Sequence, residues 1–192
     1  MKLYLVRHGQ SEANLHRNFS GWAQISLTEQ GFADARRAGE YLQRFTFDRI
    51  YSSDLLRAVQ TAQTALPGCE PEQLELLREN DVGSLQGHSV TECEERYGPR
   101  FWVCPTGADF TRFGGENHDM VRKRVRSFLD RLESDPCEQV VAFAHEGILR
   151  CMLDLVLGMN FERHNVRCPN CTIAVFAYMN DRWVLEAWNA GA

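Results

Sequence analysis

The residues of this 192-residue chain that could do chemistry are Arg7, His8, Arg57, Arg78, Glu79 and His145. A neutral imidazole can attack phosphorus and hold the phosphoryl group, which splits one hard transfer into two easier ones. Guanidinium groups stay charged and grip phosphate oxygens in pairs. A carboxylic acid can protonate a leaving alkoxide, and its carboxylate can then activate water. Arginine and histidine can stabilise the charge of the transition state, so this chemistry calls for no metal and no cofactor. Taken singly, each residue has a plainer reading. Arg7-His8-Gly9 is short enough to arise by chance, His145 suits a structural histidine, Arg57 a solvated helix residue and Glu79 a surface carboxylate.

The elements around them change the balance. Residues 3–6, 47–51, 74–77 and 140–144 read as strands, and the polar residues follow directly at their carboxyl ends. Residues 28–45, 54–66, 117–133 and 147–157 read as helices, with apolar stripes through Phe32, Ala35, Gly39, Leu42 and Phe45, through Leu55, Val59, Ala62 and Leu66, and through Val121, Val125, Phe128 and Leu132. Ser89 and Glu92 have capping-box spacing, which starts a helix running to Gly98. Residues 100–115 read as a long irregular excursion. Residues 171–179 and 183–188 read as a closing strand pair around Asn180-Asp181. Strands alternating with helices predict an α/β fold, a mostly parallel sheet covered on both faces, as one domain over residues 1–192. Such sheets bind ligands beyond the carboxyl ends of their strands. Two histidines, up to three arginines and a glutamate then share one rim, and the helix starts after residues 53 and 146 add N–H donors.

Composition narrows the classes of function. Apolar residues make up 44% and charged residues 24%, ordinary for a globular chain, and the net charge is -5. Neither a nucleic-acid surface nor a membrane surface is expected. Seven cysteines at scattered spacing do not outline a disulfide framework. With no signal-like apolar run, they predict a reducing, cytoplasmic setting. The sequence does not set the oligomeric state.

The ordered motifs resemble the histidine phosphatase superfamily, also called the phosphoglycerate-mutase-like family, and its small phosphatases such as α-ribazole phosphatase. The resemblance rests on Leu5-Val6-Arg7-His8-Gly9-Gln10-Ser11 with Asn14, Gly21-Trp22, and Leu27-Thr28-Glu29-Gln30-Gly31. It continues through Ser52-Ser53-Asp54-Leu55-Leu56-Arg57-Ala58, Leu77-Arg78-Glu79, Gly114-Gly115-Glu116 and Ala144-His145-Glu146-Gly147. It implies a three-layer α/β/α sandwich and a small phosphorylated substrate. It implies His8 as the nucleophile, Arg7, Arg57 and His145 as phosphoryl ligands, and Glu79 as general acid and base. Asn14, Ser20 and Gly21 fall in substrate-contacting segments. Gln24 and Ala13 depart from the family pattern, where an aspartate and an aromatic residue are frequent.

Alternatives remain open. Only 65 residues separate Glu79 from His145, fewer than in the mutases the chain resembles, which favours a hydrolase over a mutase that must shield its phosphoenzyme from water. A non-catalytic phospholigand-binding module would use the same pocket. His164, Cys168 and Cys171 have the spacing of half a zinc site. The aromatics at 100–115 suit either an apolar lid over the leaving group or simply the core. Arg122, Lys123, Arg124 and Arg126 read as a solvated face, with Asp119–Lys123 and Arg126–Asp130 as i,i+4 pairs. His16, His88 and His118 read as off the constellation.

Overall fold

The computed structural model describes residues 1–104, 107–158 and 166–191. Its chief elements are β1 (Lys2–Arg7), α1 (Glu12–His16), α2 (Glu29–Leu42), β2 (Arg49–Ser52), α3 (Leu56–Ala65), β3 (Glu72–Gln73) and α4 (Val90–Tyr97). They continue with β4 (Val103–Cys104), β5 (Gly107–Ala108), α5 (His118–Glu133), β6 (Gln139–Ala144), α6 (Glu146–Leu157), β7 (Ile173–Met179) and β8 (Arg182–Trp188). The main sheet has the order β3-β2-β6-β1-β7-β8. β3, β2, β6 and β1 run parallel, and β7 and β8 close the far edge antiparallel.

Alternating strand residues feed opposite faces. Leu3, Leu5, Val140, Ala142 and Ala144 pack under the stripe of α5 (Val121, Val125, Phe128, Leu129, Leu132) and under α6. Tyr4, Val6, Val141 and Phe143 pack under Ala38 and Leu42 of α2 and Ala62 and Ala65 of α3. The α/β/α sandwich read from the motifs is the one observed.

Three local readings change. The stripe of α3 is rotated: Arg57, Ala58, Thr61, Ala62 and Ala65 are its buried residues, while Val59 and Leu66 are only half-buried. Residues 74–77 are not a strand. Leu77 N–H bonds to the Leu74 carbonyl, a 3-10 turn covers Glu75–Leu77, and the Leu76 carbonyl is taken by Arg124 instead of a sheet neighbour. The excursion at 100–115 holds regular pieces, the antiparallel pair β4–β5 and a 3-10 turn at Thr111–Phe113.

Candidate active site

β1 and β6 are parallel neighbours with Arg7 opposite Ala144, so His8 and His145 leave adjacent strand ends together. His8 N–H bonds to the Ala144 carbonyl at 2.9 Å. β2 lies on the other side of β6 and delivers Arg57 through the first turn of α3. The two imidazole centroids are 5.1 Å apart.

His8 is buried and its protonation is fixed by its neighbours. Nδ1 lies 2.7 Å from the Gly9 carbonyl oxygen, which can only accept, so Nδ1 carries the hydrogen. Nε2 is then a lone pair, and Arg57 Nε lies 3.3 Å from it as a donor. Burial, then the Arg57 and Arg7 charges, push the His8 pKa well below its ordinary 6.5. His145 is lowered well below 6.5 as well, by burial, Arg57 and His8 in that order. Both residues are therefore neutral at physiological pH, as an attacking imidazole requires.

The arginines are held from behind. Arg57 is fully buried and donates from Nη1 to the Ala23 carbonyl (3.0 Å) and from Nη2 to the Gly21 carbonyl (2.9 Å). Burial outweighs the nearby Glu79 and brings its pKa down to about 10, which still leaves it charged near neutrality. Arg7 donates from Nη1 to the Cys168 carbonyl and pairs with Glu146 Oε2 at 2.9 Å. Arg7 Nε and both ring nitrogens of His145 are buried and make no hydrogen bond to described residues. Buried polar atoms are rarely left so. Arg7 Nε and the one protonated ring nitrogen of neutral His145 are donors that suit the oxygens of a phosphoryl group.

Glu79 sits at the start of α6. Its Oε1 accepts from Asn80 N–H (3.0 Å) and Gly147 N–H (3.2 Å). A helix start and two donors favour the carboxylate, yet burial prevails and raises the pKa above 4.5. Beyond Glu79 opens a cavity of about 340 Å³ lined by Ser20, Gly21, Trp102, Phe110, His118 and Arg150 among others.

With the catalytic-type groups in one place, sequence comparison decides the family. A model described as "Histidine phosphatase superfamily (branch 1)" matches residues 3–191. The chain belongs to the histidine phosphatase superfamily. It is 29% identical to a probable phosphoglycerate mutase GpmB of Salmonella paratyphi A, over 98% of this chain and 90% of the relative. Its fold superposes on a mycobacterial glucosyl-3-phosphoglycerate phosphatase solved with VO3, at a TM-score of 0.86, with 27% identity and 98% of each chain covered. The α-ribazole phosphatase of Shigella flexneri also superposes at 0.86, covering 100% of this chain and 98% of that one, at 24% identity, a likeness of fold. The chain is an enzyme of this superfamily.

Several residues around these groups take places that the sequence did not set. Arg78 leaves the rim and pairs with Asp54 (Nε–Oδ1 2.8 Å) while its guanidinium lies 4.8 Å from the centroid of the Trp22 ring. Trp22 Nε1 donates to the Glu79 carbonyl at 2.7 Å. Arg124 is no part of a solvated face, for it is largely buried against Glu116 and the backbone of residues 76–79. Glu116 lies just before the N-cap Asn117 of α5, outside the helix, so no helical spacing pairs it with Arg124. Arg126 does pair with Asp130, at 2.8 Å. His118 lines the cavity, with Nε2 2.7 Å from Asp154 Oδ2.

The family departure at Gln24 has a local role. Leu55 offers no side-chain cap to α3, and Gln24 Oε1 accepts the Leu56 N–H at 2.7 Å instead. Asn14 closes the capping box of α1, its Oδ1 accepting from Ser11 N–H (3.1 Å) and from Asn170 Nδ2 (3.2 Å). Asn170 Nδ2 also donates to the His8 carbonyl at 3.1 Å. The 168–171 segment thus braces Arg7 and His8. Burial raises the thiols of Cys168 and Cys171 to about 11 and about 12, which disfavours the thiolates a metal needs. His164, the third residue of the zinc reading, lies outside the described residues, and among those described no group of three or more His, Cys, Asp or Glu could hold a metal ion.

The aromatic residues of the excursion divide. Phe110 is buried with Phe19, Val82, Leu85 and Cys93 in a satellite core, and Phe101 and Phe113 pack on its outside. Trp102 and Phe110 also face the cavity.

Proposed function

We propose that this protein is a metal-independent phosphomonoesterase for small phosphorylated metabolites, working through phosphohistidine on His8. The observation that carries the proposal is the neutral His8 Nε2, oriented through the Gly9 carbonyl and ringed by Arg57, Arg7 Nε and His145. His8 Nε2 attacks phosphorus, the ester P–O bond breaks, and the departing alkoxide takes the proton of Glu79. Water then attacks the phosphohistidine and gives its proton to the Glu79 carboxylate. Phosphate leaves and the Nε2 lone pair is restored. Arg7, Arg57 and His145 hold the phosphoryl oxygens throughout. Asn14 would add its amide Nδ2, and Ser20 and Gly21 would line the path of the alcohol. Positive charge is supplied by guanidinium groups, so activity should survive exhaustive chelation.

The leaving alcohol would occupy the 340 Å³ cavity, with Trp102 and Phe110 as its apolar wall and lid. One domain of 192 residues would carry the whole site. A panel of esters ranked by kcat/KM tests this: phosphoglycerates, α-ribazole phosphate, nucleotides, sugar phosphates and phosphopeptides. Trp102→Ala should change the ranking by about tenfold for bulky alcohols, the order of a lost apolar contact in a pocket; an unchanged ranking would remove the lid. Relatives named as mutases support a second reading. Rapid interconversion of 2- and 3-phosphoglycerate with slow phosphate release would favour it over hydrolysis.

The pH profile should separate the acid from the substrate. Raised above 4.5, Glu79 keeps its proton to higher pH than an exposed glutamate. An alkyl phosphate needs that proton and p-nitrophenyl phosphate hardly does, and because the two phosphates ionise at different pH each kcat/KM is expressed per concentration of the dianion. The ratio of kcat/KM, alkyl over nitrophenyl, should be flat at low pH and fall as pH rises through the Glu79 pKa. A ratio that rises with pH would contradict the acid role. Free thiols at Cys69, Cys93, Cys137, Cys151, Cys168 and Cys171 support a cytoplasmic setting; no described helix is long and apolar enough to cross a membrane.

A further inference from the structure

The segment that carries Glu79 is neither helix nor strand, so its carbonyls lack the partners regular structure would provide. Two side chains replace them: Trp22 Nε1 donates to the Glu79 carbonyl at 2.7 Å, and Arg124 spans that carbonyl and two before it. Arg124 Nη1 donates to the carbonyls of Leu76 and Arg78, both at 3.0 Å. Its Nη2 donates to the Glu79 carbonyl at 3.3 Å. The other edge of the guanidinium meets both oxygens of Glu116, at 2.8 Å from Nε to Oε1 and 2.7 Å from Nη2 to Oε2. All five N–H bonds of the guanidinium are therefore used. Glu116 completes the frame. Its Oε2 accepts the Asp81 N–H at 3.0 Å, and its own N–H donates to the Asp81 carbonyl at 2.9 Å.

We propose that Arg124, locked by Glu116, is the positioning residue for Glu79, holding the backbone of residues 76–81 so that the Glu79 carboxyl stays at the start of α6. The inference rests on the reading of Glu79 as the general acid. Within Glu79, Arg124 touches the carbonyl alone, while the carboxyl is held by Asn80 N–H and Gly147 N–H. Arg124 thus sets where the proton is delivered. Loss of the clamp displaces an acid and leaves the phosphoryl pocket of His8, Arg7, Arg57 and His145 in place. A purely structural role would lower all turnover alike, whereas a positioning role selects for poor leaving groups.

The test compares kcat/KM, which ends at phosphoenzyme formation, for p-nitrophenyl phosphate and an alkyl phosphate in the wild type, Arg124→Ala, Arg124→Lys, Glu116→Gln and Glu79→Gln. A displacement of about 1 Å at a reacting group can lower a rate about 100-fold. Arg124→Ala should therefore lower kcat/KM for the alkyl ester by about tenfold to 100-fold and keep kcat/KM for the nitrophenyl ester within about threefold. Lysine keeps the charge but not the five-donor fork, so Arg124→Lys should remain about tenfold down on the alkyl ester. Full rescue by lysine, or equal losses on both esters, would overturn the proposal. Glu116→Gln preserves volume and should show the same selective loss at about threefold or more, which keeps the test decisive if Arg124→Ala does not fold. Glu79→Gln separates the two layers. If it loses activity equally on both esters, the acid assignment fails; if it is selective and the Arg124 and Glu116 variants are not, only the clamp fails.

Discussion

Replacing His8 by alanine should lower turnover by about 10⁴-fold or more, and by the same factor for good and poor leaving groups. The size follows from removing the nucleophile of a two-step reaction, where the surviving ligands bind the phosphoryl group but nothing attacks it. Equality across leaving groups follows because both esters lose the same in-line displacement, in which the bond from His8 forms as the ester bond breaks. Phosphate binding should persist, since Arg57 and His145 come from other parts of the chain, and Arg7 and Arg57 keep their own anchors at Glu146, Gly21 and Ala23. Steady-state hydrolysis of p-nitrophenyl phosphate and of an alkyl phosphate, with phosphate affinity measured by calorimetry, checks all three statements. Residual turnover within about tenfold of the wild type would mean that another group attacks.

Glu79→Gln should divide the two esters. Glutamine keeps an acceptor oxygen for the N–H groups of Asn80 and Gly147 and so preserves the loop. It carries no acidic proton. General acid catalysis contributes about 10²- to 10⁴-fold, so kcat/KM for an alkyl phosphate should fall by about that range. The nitrophenolate leaves unaided, and its kcat/KM should remain within about tenfold. The comparison is made on kcat/KM because that constant ends at phosphoenzyme formation, before Glu79 is needed as a base. Equal losses would remove Glu79 from the acid role.

What the sequence disclosed and what it hid have a common physical origin. The strand ends were legible because buried parallel strands are continuous apolar runs, and residues 3–6 and 140–144 are such runs. Knowing that they lie side by side in parallel brings His8 and His145 together. Arg57 was legible as a member of the set but not as the fully buried residue it is, because helix stripes are read from apolar residues and the inward face of α3 includes an arginine and a threonine. Residues 74–77 looked like a strand because four residues rich in leucine fit a strand and a 3-10 turn equally well. The turn is chosen by a side chain from α5, 48 positions later than Leu76, that no local pattern contains. Arg124 was misread for the same reason. In sequence it stands among Arg122, Lys123 and Arg126, and only the fold shows that it points inward to Glu116 while Arg126 pairs outward with Asp130.

Rapid-quench mixing of the enzyme with a phosphate ester, followed by mass-spectrometric mapping of the trapped phosphoryl group, tests the central claim most directly. The geometry predicts an acid-labile phosphoryl group on His8, formed before phosphate is released and absent from the other histidines. A phosphoryl group on a different residue, or phosphate released with no phosphoenzyme at any time in the burst, would contradict it.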